Sequence, residues 1–174
     1  LFRSETLKMI RSIEKGPKKK YIGIDIGSVS VKVVLINEDY DVLENHYVRS
    51  HGQPLETILI VLKEIFNRID NDEIAGIAAT GSGGKLLADI IGISFINEIV
   101  AQSTATSILH PEVRTVIEIG GEDSKLIMLE PDEANGNNLK VSDFSMNTMC
   151  AAGTGSFLDQ QSTRIGVSIE NEFG

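Results

Sequence analysis

Tyr21-Ile22-Gly23-Ile24-Asp25-Ile26-Gly27-Ser28-Val29-Ser30-Val31-Lys32 is the stretch from which the architecture unfolds. An apolar run ends in a carboxylate and passes through glycine and small residues. It reaches lysine seven positions after the carboxylate, and a second apolar run, Val33 to Ile36, follows. That order reads as two strands joined by a tight turn, with glycine supplying the backbone freedom. The turn can offer N–H groups, hydroxyls and a lysine to an anion, and the carboxylate at the strand end can hold a hydrated divalent cation. An ordinary glycine hairpin would explain a single copy. The pattern recurs, however: Glu118-Ile119-Gly120-Gly121-Glu122-Asp123-Ser124-Lys125 repeats acid, glycine and lysine at the same spacing, between Thr115–Ile117 and Leu126–Leu129. Two matched copies argue for an internal duplication, and two such turns facing each other would grip a polyphosphate from both sides.

Working outward from the first copy, strands are expected at about 20–25, 31–36 and 42–49, with Asn37-Glu38-Asp39 as a turn signal. Pro54 suits the first turn of a helix running to about Asp70, striped by Ile58, Leu62, Ile65, Phe66 and Ile69. A buried-type strand, Ile74 to Ala79, ends in Thr80-Gly81-Ser82-Gly83-Gly84. A helix at 85–91, a short strand near 93–96 and a helix from Glu98 to Leu109 follow, which describes a mixed α/β sheet flanked by helices. At Thr115 the cycle restarts: strand, glycine turn, strand 125–130, a polar loop from Pro131 to Asn138, strand 139–145 and a helix at about 154–166. Residues 4–15 read as an amphipathic helix leading into a basic linker that ends Lys18-Lys19-Lys20. The expected organisation is an N-terminal helix and linker over 1–19, a first lobe over 20–112, and a second lobe begun over 113–174 and incomplete.

The net charge is −9, and it is uneven: residues 1–20 carry seven basic and two acidic side chains, against nine basic and 23 acidic in the remainder. An acidic body is a poor surface for nucleic acid, and the absence of tryptophan argues against a base-stacking platform. No apolar run reaches the roughly 18 residues that span a bilayer, and charged residues interrupt any secretory core, so a cytoplasmic setting is expected, with no membrane partner. One cysteine excludes an internal disulfide. Leu1 is not an initiator methionine and the chain stops at Phe173-Gly174, so an excerpt of a longer polypeptide is expected.

A third segment, Met146-Asn147-Thr148-Met149-Cys150-Ala151-Ala152-Gly153-Thr154-Gly155-Ser156-Phe157-Leu158, places glycines just before a helix. Gly153 and Gly155 there would leave N-terminal N–H groups open to an anion, and the positive helix end favours thiolate at Cys150. Cys150 reads as a metal ligand, a redox thiol or a small buried hydrophobe, and for an isolated cysteine the last is the commonest outcome. The three histidines, His46, His51 and His110, are too scattered for a metal site.

In this order, the first turn, Thr80-Gly81-Ser82-Gly83, the second turn and the Cys150–Gly155 run together resemble the ATP-dependent activators of 2-hydroxyacyl-CoA dehydratases and benzoyl-CoA reductases, within the actin/Hsp70/sugar-kinase superfamily. The resemblance spans about residues 20–170. It implies ribonuclease H-like, actin-like lobes, and a homodimer that shares one [4Fe–4S] cluster and uses ATP to pass a low-potential electron to a dehydratase or related reductase. Position by position, it implies that Asp25 contacts hydrated Mg2+. Gly27, Ser28, Val29, Ser30, Val31 and Lys32 would form the first phosphate loop, and Gly120, Gly121, Asp123 and Ser124 the second. Asp25, Lys32 and Glu98 would be the catalytic set, with Glu98 near the attacking water and Cys150 a cluster ligand. Glu118 stands where aspartate is more usual and Glu122 where glutamine is common. With its other cluster ligand and adenosine-contacting glycines expected farther along a longer chain, the 174 residues alone should bind nucleotide poorly and lack the cluster. A small-molecule kinase of amino-sugar type is the alternative, and a nucleotide-binding module without turnover is a third reading.

Overall fold

The computed structural model describes residues 20–135, 138–147 and 154–168; the helix expected over 4–15 lies outside them. Strands β1 (Lys20–Ile26), β2 (Ser30–Asn37) and β3 (Val42–Arg49) form an antiparallel meander. The expected turn after β2 is an Asx turn, in which Asn37 Oδ1 accepts from the Asp39 and Asp41 N–H groups at 3.0 and 2.9 Å. Helix α1 (Pro54–Phe66) then carries the chain back across the sheet. That crossover lets β4 (Ile74–Thr80) lie parallel to β1, with Asp25 opposite Thr80. Helix α2 (Gly84–Ile91) and the two-residue β5 (Ser94–Phe95) complete a five-stranded sheet in the order β3-β2-β1-β4-β5.

Alternation decides what is buried. Ile22, Ile24 and Ile26 of β1 and Val31, Val33 and Leu35 of β2 point to one face, where Ile58, Leu62 and Ile65 of α1 and Leu87 and Ile91 of α2 cover them. Each such side chain contributes about 1.5–3 kcal/mol by leaving water. The intervening positions, Asp25 and Lys32, face the other way. Helix α1 stops at Phe66, four residues before the expected Asp70, yet Ile69 still packs on the core. Helix α2 ends in Gly92 with φ +76°, the left-handed stop that glycine adopts without strain.

At the outer edge of this sheet, Glu44 of β3 accepts from His46 and from Arg68, just beyond α1. Burial alone would raise the Glu44 carboxyl, but these two hydrogen bonds hold it below its ordinary value of 4.5. Its contribution is therefore present above pH 4.5 and is lost as pH falls through the lower, folded-state value. Glu44→Gln should lower stability at pH 7 by about 0.5–1 kcal/mol and flatten the acid limb of a urea-midpoint profile.

The chain divides into two compact units, Leu1–Asn97 and Glu98–Gly174. The expected boundary near residue 112 falls after helix α3 (Glu98–Leu109), whereas compactness divides the chain before it, because α3 packs on the second sheet. That sheet is β6 (Thr115–Ile119), β7 (Ser124–Asp132) and β8 (Asn138–Asn147), antiparallel in the order β6-β7-β8. Its core is small: Ile127, Leu129 and Leu139, joined by Ile99, Val116 and Val141. The Leu139 N–H donates to Ser107 Oγ at 2.7 Å, which ties β8 to α3. Pro131, expected to open a loop, continues β7 opposite Leu139, and the turn that follows is a short 3-10 helix at Glu133–Asn135. A proline is tolerated there because β6 begins at Thr115, opposite Met128, so that β7 has no neighbour on that side at residue 131. Helix α4 (Gly155–Ile165) closes the described chain.

Candidate functional site: two matched acid–glycine–lysine turns

The two quoted segments build the same local structure. In each, an acid at the end of one strand lies directly opposite a lysine on the next: Asp25 opposite Lys32, and Glu118 opposite Lys125. The lysine ammonium reaches its acid at 2.7 Å in both. The Gly27 N–H donates to the Ser30 carbonyl at 3.0 Å, and the Gly120 N–H donates to the Asp123 carbonyl at 2.9 Å. These two N–H groups close their turns, so what each glycine offers a ligand is space. A Cβ on Gly27 would stand 3.2 Å from the Ser30 carbonyl, and one on Gly120 2.9 Å from Asp123 Oδ1 and 3.0 Å from Glu118 Oε1.

In the first unit, Ser28 is exposed, whereas the Ser30 and Val31 side chains are buried, so Val31 can serve a ligand only through its backbone. The loop after β4 is pressed against the end of β1. Gly83 N–H donates to the Ile26 carbonyl at 3.1 Å, and Ser82 Oγ donates to it at 3.3 Å. Gly81 lies between, at φ +84°, where a Cβ would come to 2.4 Å from Asp25 Oδ1 and 2.5 Å from the Ile26 carbonyl oxygen. Thr80, beside Asp25 in register, buries its Oγ1 without a hydrogen-bond partner. An acid with one oxygen on Lys32, a glycine-lined gap at its other oxygen and a buried unpaired hydroxyl alongside fit a hydrated cation and its phosphate.

The second unit differs in charge. Lys125 is almost wholly buried, at 3% side-chain exposure against 43% for Lys32. It touches three acids: Glu118 Oε2 at 2.7 Å, Asp123 Oδ1 at 3.0 Å and Glu98 Oε1, from the first turn of α3, at 3.3 Å. Burial by itself would depress the Lys125 ammonium, but hydrogen bonds to Glu118 and Asp123 and the charge of Glu98 outweigh it and raise its pKa above the ordinary 10.5. The repeated spacing singles out Glu118 and Lys125, but the approach of Glu98 leaves no signal in the local pattern.

Gly155, at the start of helix α4, also does something other than expected. Gly155 N–H donates to the Gly120 carbonyl at 3.0 Å and Ser156 N–H to the Gly121 carbonyl at 2.8 Å, so these two N–H groups are engaged by the second turn and are not open to an anion. Cys150 and Gly153 lie outside the described residues. Among the described residues no group of three or more His, Cys, Asp or Glu side chains is arranged to hold a metal, and no helix is long and apolar enough to cross a membrane.

The chain is similar to known activators throughout this region. It is 31% identical over 150 residues to the 2-hydroxyisocaproyl-CoA dehydratase activator of Clostridioides difficile, a match covering 85% of this chain and 53% of that protein. The structure of (R)-2-hydroxyglutaryl-CoA dehydratase component A from Acidaminococcus fermentans superposes with a TM-score of 0.70 at 30% identity, covering 88% of this chain and 57% of that one. The Clostridium difficile activator solved with bound ADPNP superposes with a TM-score of 0.69 at 29% identity, covering 86% and 53%. The chain thus spans about half the length of the curated relatives it matches. The fold is the expected actin-like α/β class. Residues 22–172 match the BadF/BadG/BcrA/BcrD ATPase family, and with both turns, the intervening glycine loop and the α4 glycines inside that match, the chain belongs to this family.

Proposed function

We propose that this chain is the phosphate-gripping part of an ATP-dependent activator that sends a low-potential electron from a [4Fe–4S] cluster to a 2-hydroxyacyl-CoA dehydratase-type partner. The observation that carries the reading is the acid–glycine–lysine hairpin built twice, once in each unit, in a member of an ATPase family. Each turn, one in the unit Leu1–Asn97 and one in the unit Glu98–Gly174, would take phosphate of the nucleotide.

Asp25 would hold a hydrated Mg2+, with the Thr80 hydroxyl beside it. Lys32, exposed enough to swing, would leave Asp25 for a phosphate oxygen and so free the acid to hold the metal. Backbone groups of Ser28–Val31 line the first loop, and those of Gly121–Ser124 the second. Lys125 stays with its three acids and cancels charge that would otherwise repel phosphate. Glu98, tethered by Lys125, orients the attacking water. Mg-ATP, when bound, supplies a phosphoryl group whose transfer depends on positioning and charge neutralisation. Cys150 would give one thiolate to a cluster that takes four, so further thiolates come from other polypeptide, as in a homodimer sharing one cluster in the cytoplasm.

Calorimetric titration with ATP, with and without Mg2+, tests the nucleotide half. The wild-type chain should bind weakly and only with Mg2+, and Asp25→Asn should weaken binding about tenfold or more. Absence of any Mg-dependent binding by the wild-type chain overturns the reading. Anaerobic reconstitution of the complete activator with iron and sulfide tests the other half: Cys150→Ser should abolish the iron–sulfur absorption band and leave ATP binding unchanged.

A further inference from the structure

A turn serves a phosphate only when its N–H groups face the ligand, because a carbonyl turned the same way repels it. At the first turn, two carbonyls are held by donors from distant parts of the chain. The Ile26 carbonyl accepts from Gly83 N–H at 3.1 Å and from Ser82 Oγ at 3.3 Å. The Val29 carbonyl accepts from Ser50 N–H at 3.0 Å and from Ser50 Oγ at 3.1 Å. Each oxygen thus carries one N–H and one serine hydroxyl, which occupies both lone pairs. In the second copy the Gly120 and Gly121 carbonyls are taken in the same spirit, by the Gly155 and Ser156 N–H groups.

Ser50 stands just beyond β3 and is 3% exposed. The chain reverses directly after it. His51 adopts φ +45°, a left-handed conformation costly for a residue with a Cβ, and the Gln53 N–H closes on the Ser50 carbonyl at 2.7 Å. The main-chain bond from Ser50 to Val29 extends the pairing of β2 with β3, in which Ser30 lies opposite Arg49, and any residue but proline could make it. What serine adds is the hydroxyl. A trans peptide is planar, with its C=O and N–H pointing in opposite directions. Fixing the Val29 oxygen on the β3 side therefore turns the Ser30 N–H the other way, toward Gly27 and the inside of the turn.

We propose that Ser50 is a positioning residue for phosphate binding: its hydroxyl holds the Val29 carbonyl out of the first turn and so aims the Ser30 N–H at a phosphate oxygen of the nucleotide. This role rests on the function proposed above and names the donor that the first loop uses.

Ser50→Ala removes the hydroxyl and keeps the main-chain bond. Thr57→Ala is the control, since it removes a nearby hydroxyl bond, 2.9 Å to the Gln53 carbonyl, that does not reach the turn. Both variants and wild type are followed by NMR. Without nucleotide, the Ser30 amide order parameter should be about 0.85 in wild type and in Thr57→Ala, and should fall toward about 0.6 in Ser50→Ala. On titration with Mg-ATP, Ser50→Ala should bind about fivefold more weakly, the worth of one neutral hydrogen bond, and Thr57→Ala should match wild type. A serine that merely supports the fold would lower stability and leave both readings alone. An unaltered Ser30 order parameter in Ser50→Ala overturns the proposal, as does an unaltered affinity. Equal effects of the two variants also overturn it, by showing that the loop has loosened generally. Absence of Mg-dependent binding by the wild-type chain overturns the functional reading instead, and the nucleotide-free order parameters then decide by themselves whether Ser50 sets the turn.

Discussion

Replacing Lys125 with methionine is expected to destabilise the second unit by about 3 kcal/mol, the lower end of what removing one partner from a buried ion pair costs. Methionine fills much the same space, so the loss is electrostatic: Glu98, Glu118 and Asp123 would be left mutually repelling around an apolar end. The lower end applies because those acids retain 32%, 24% and 34% side-chain exposure and can partly rehydrate. Hydrogen exchange at Ile127 and Leu129 should accelerate by two orders of magnitude or so, while that at Ile24 and Val33 in the first unit stays unchanged. Adding Glu118→Gln should recover part of the loss, because one stranded charge is removed. The pH dependence carries its own signature. Lys125 has a folded-state pKa raised above 10.5, so its contribution is complete below pH 10.5 and is lost as pH climbs through the higher, folded value. Wild type should therefore lose stability in the second unit at strongly alkaline pH, a limb that Lys125→Met should lack. Exchange rates at Ile127 and Leu129 that match wild type would refute the three-acid knot.

Gly81→Ala should destabilise the first unit by about 3 kcal/mol and abolish Mg-dependent nucleotide binding. Two effects combine. The backbone at φ +84° is costly for any residue with a Cβ, about 1–3 kcal/mol, and the new methyl would meet Asp25 Oδ1 at 2.4 Å and the Ile26 carbonyl oxygen at 2.5 Å. Asp25 can rotate away, but only by leaving the position proposed for metal binding, and the Ile26 carbonyl moves only with the strand. Gly52 provides the control: its φ is +77° and nothing lies within 4 Å of where a methyl would stand, so Gly52→Ala carries the backbone strain without the clash. The difference between the two variants in urea midpoint measures the clash itself. Equal losses would show that the loop after β4 does not press on Asp25.

The strand and helix plan was readable because period-two alternation in Ile22–Ile26 and Val31–Leu35 and the helical stripe through Ile58, Leu62 and Ile65 are local signals. The two hairpins were readable from their shared spacing. Other features depend on residues far apart in sequence. Gly81 stood only as one residue of the glycine loop ending a buried strand, and the parallel pairing of β4 with β1 reveals why nothing larger fits beside Asp25. Glu98 reaches Lys125 across 27 positions, a distance that no periodicity bridges. The N–H groups at the start of α4 looked available to an anion because a chain reading cannot see that the second turn aims two carbonyls at them. Helix α3 was assigned to the first lobe by its place in the order, whereas its packing partners come later in the chain.

The attachment of α4 to Gly120 and Gly121 has a mechanical corollary. Cys150 precedes Thr154, the residue that opens this helix, by four positions, a leash of at most about 14 Å when fully drawn out. On the function proposed above, the cluster that Cys150 would ligate is on a short tether to the second turn, so a shift of that turn by a few ångströms leaves little slack to absorb it.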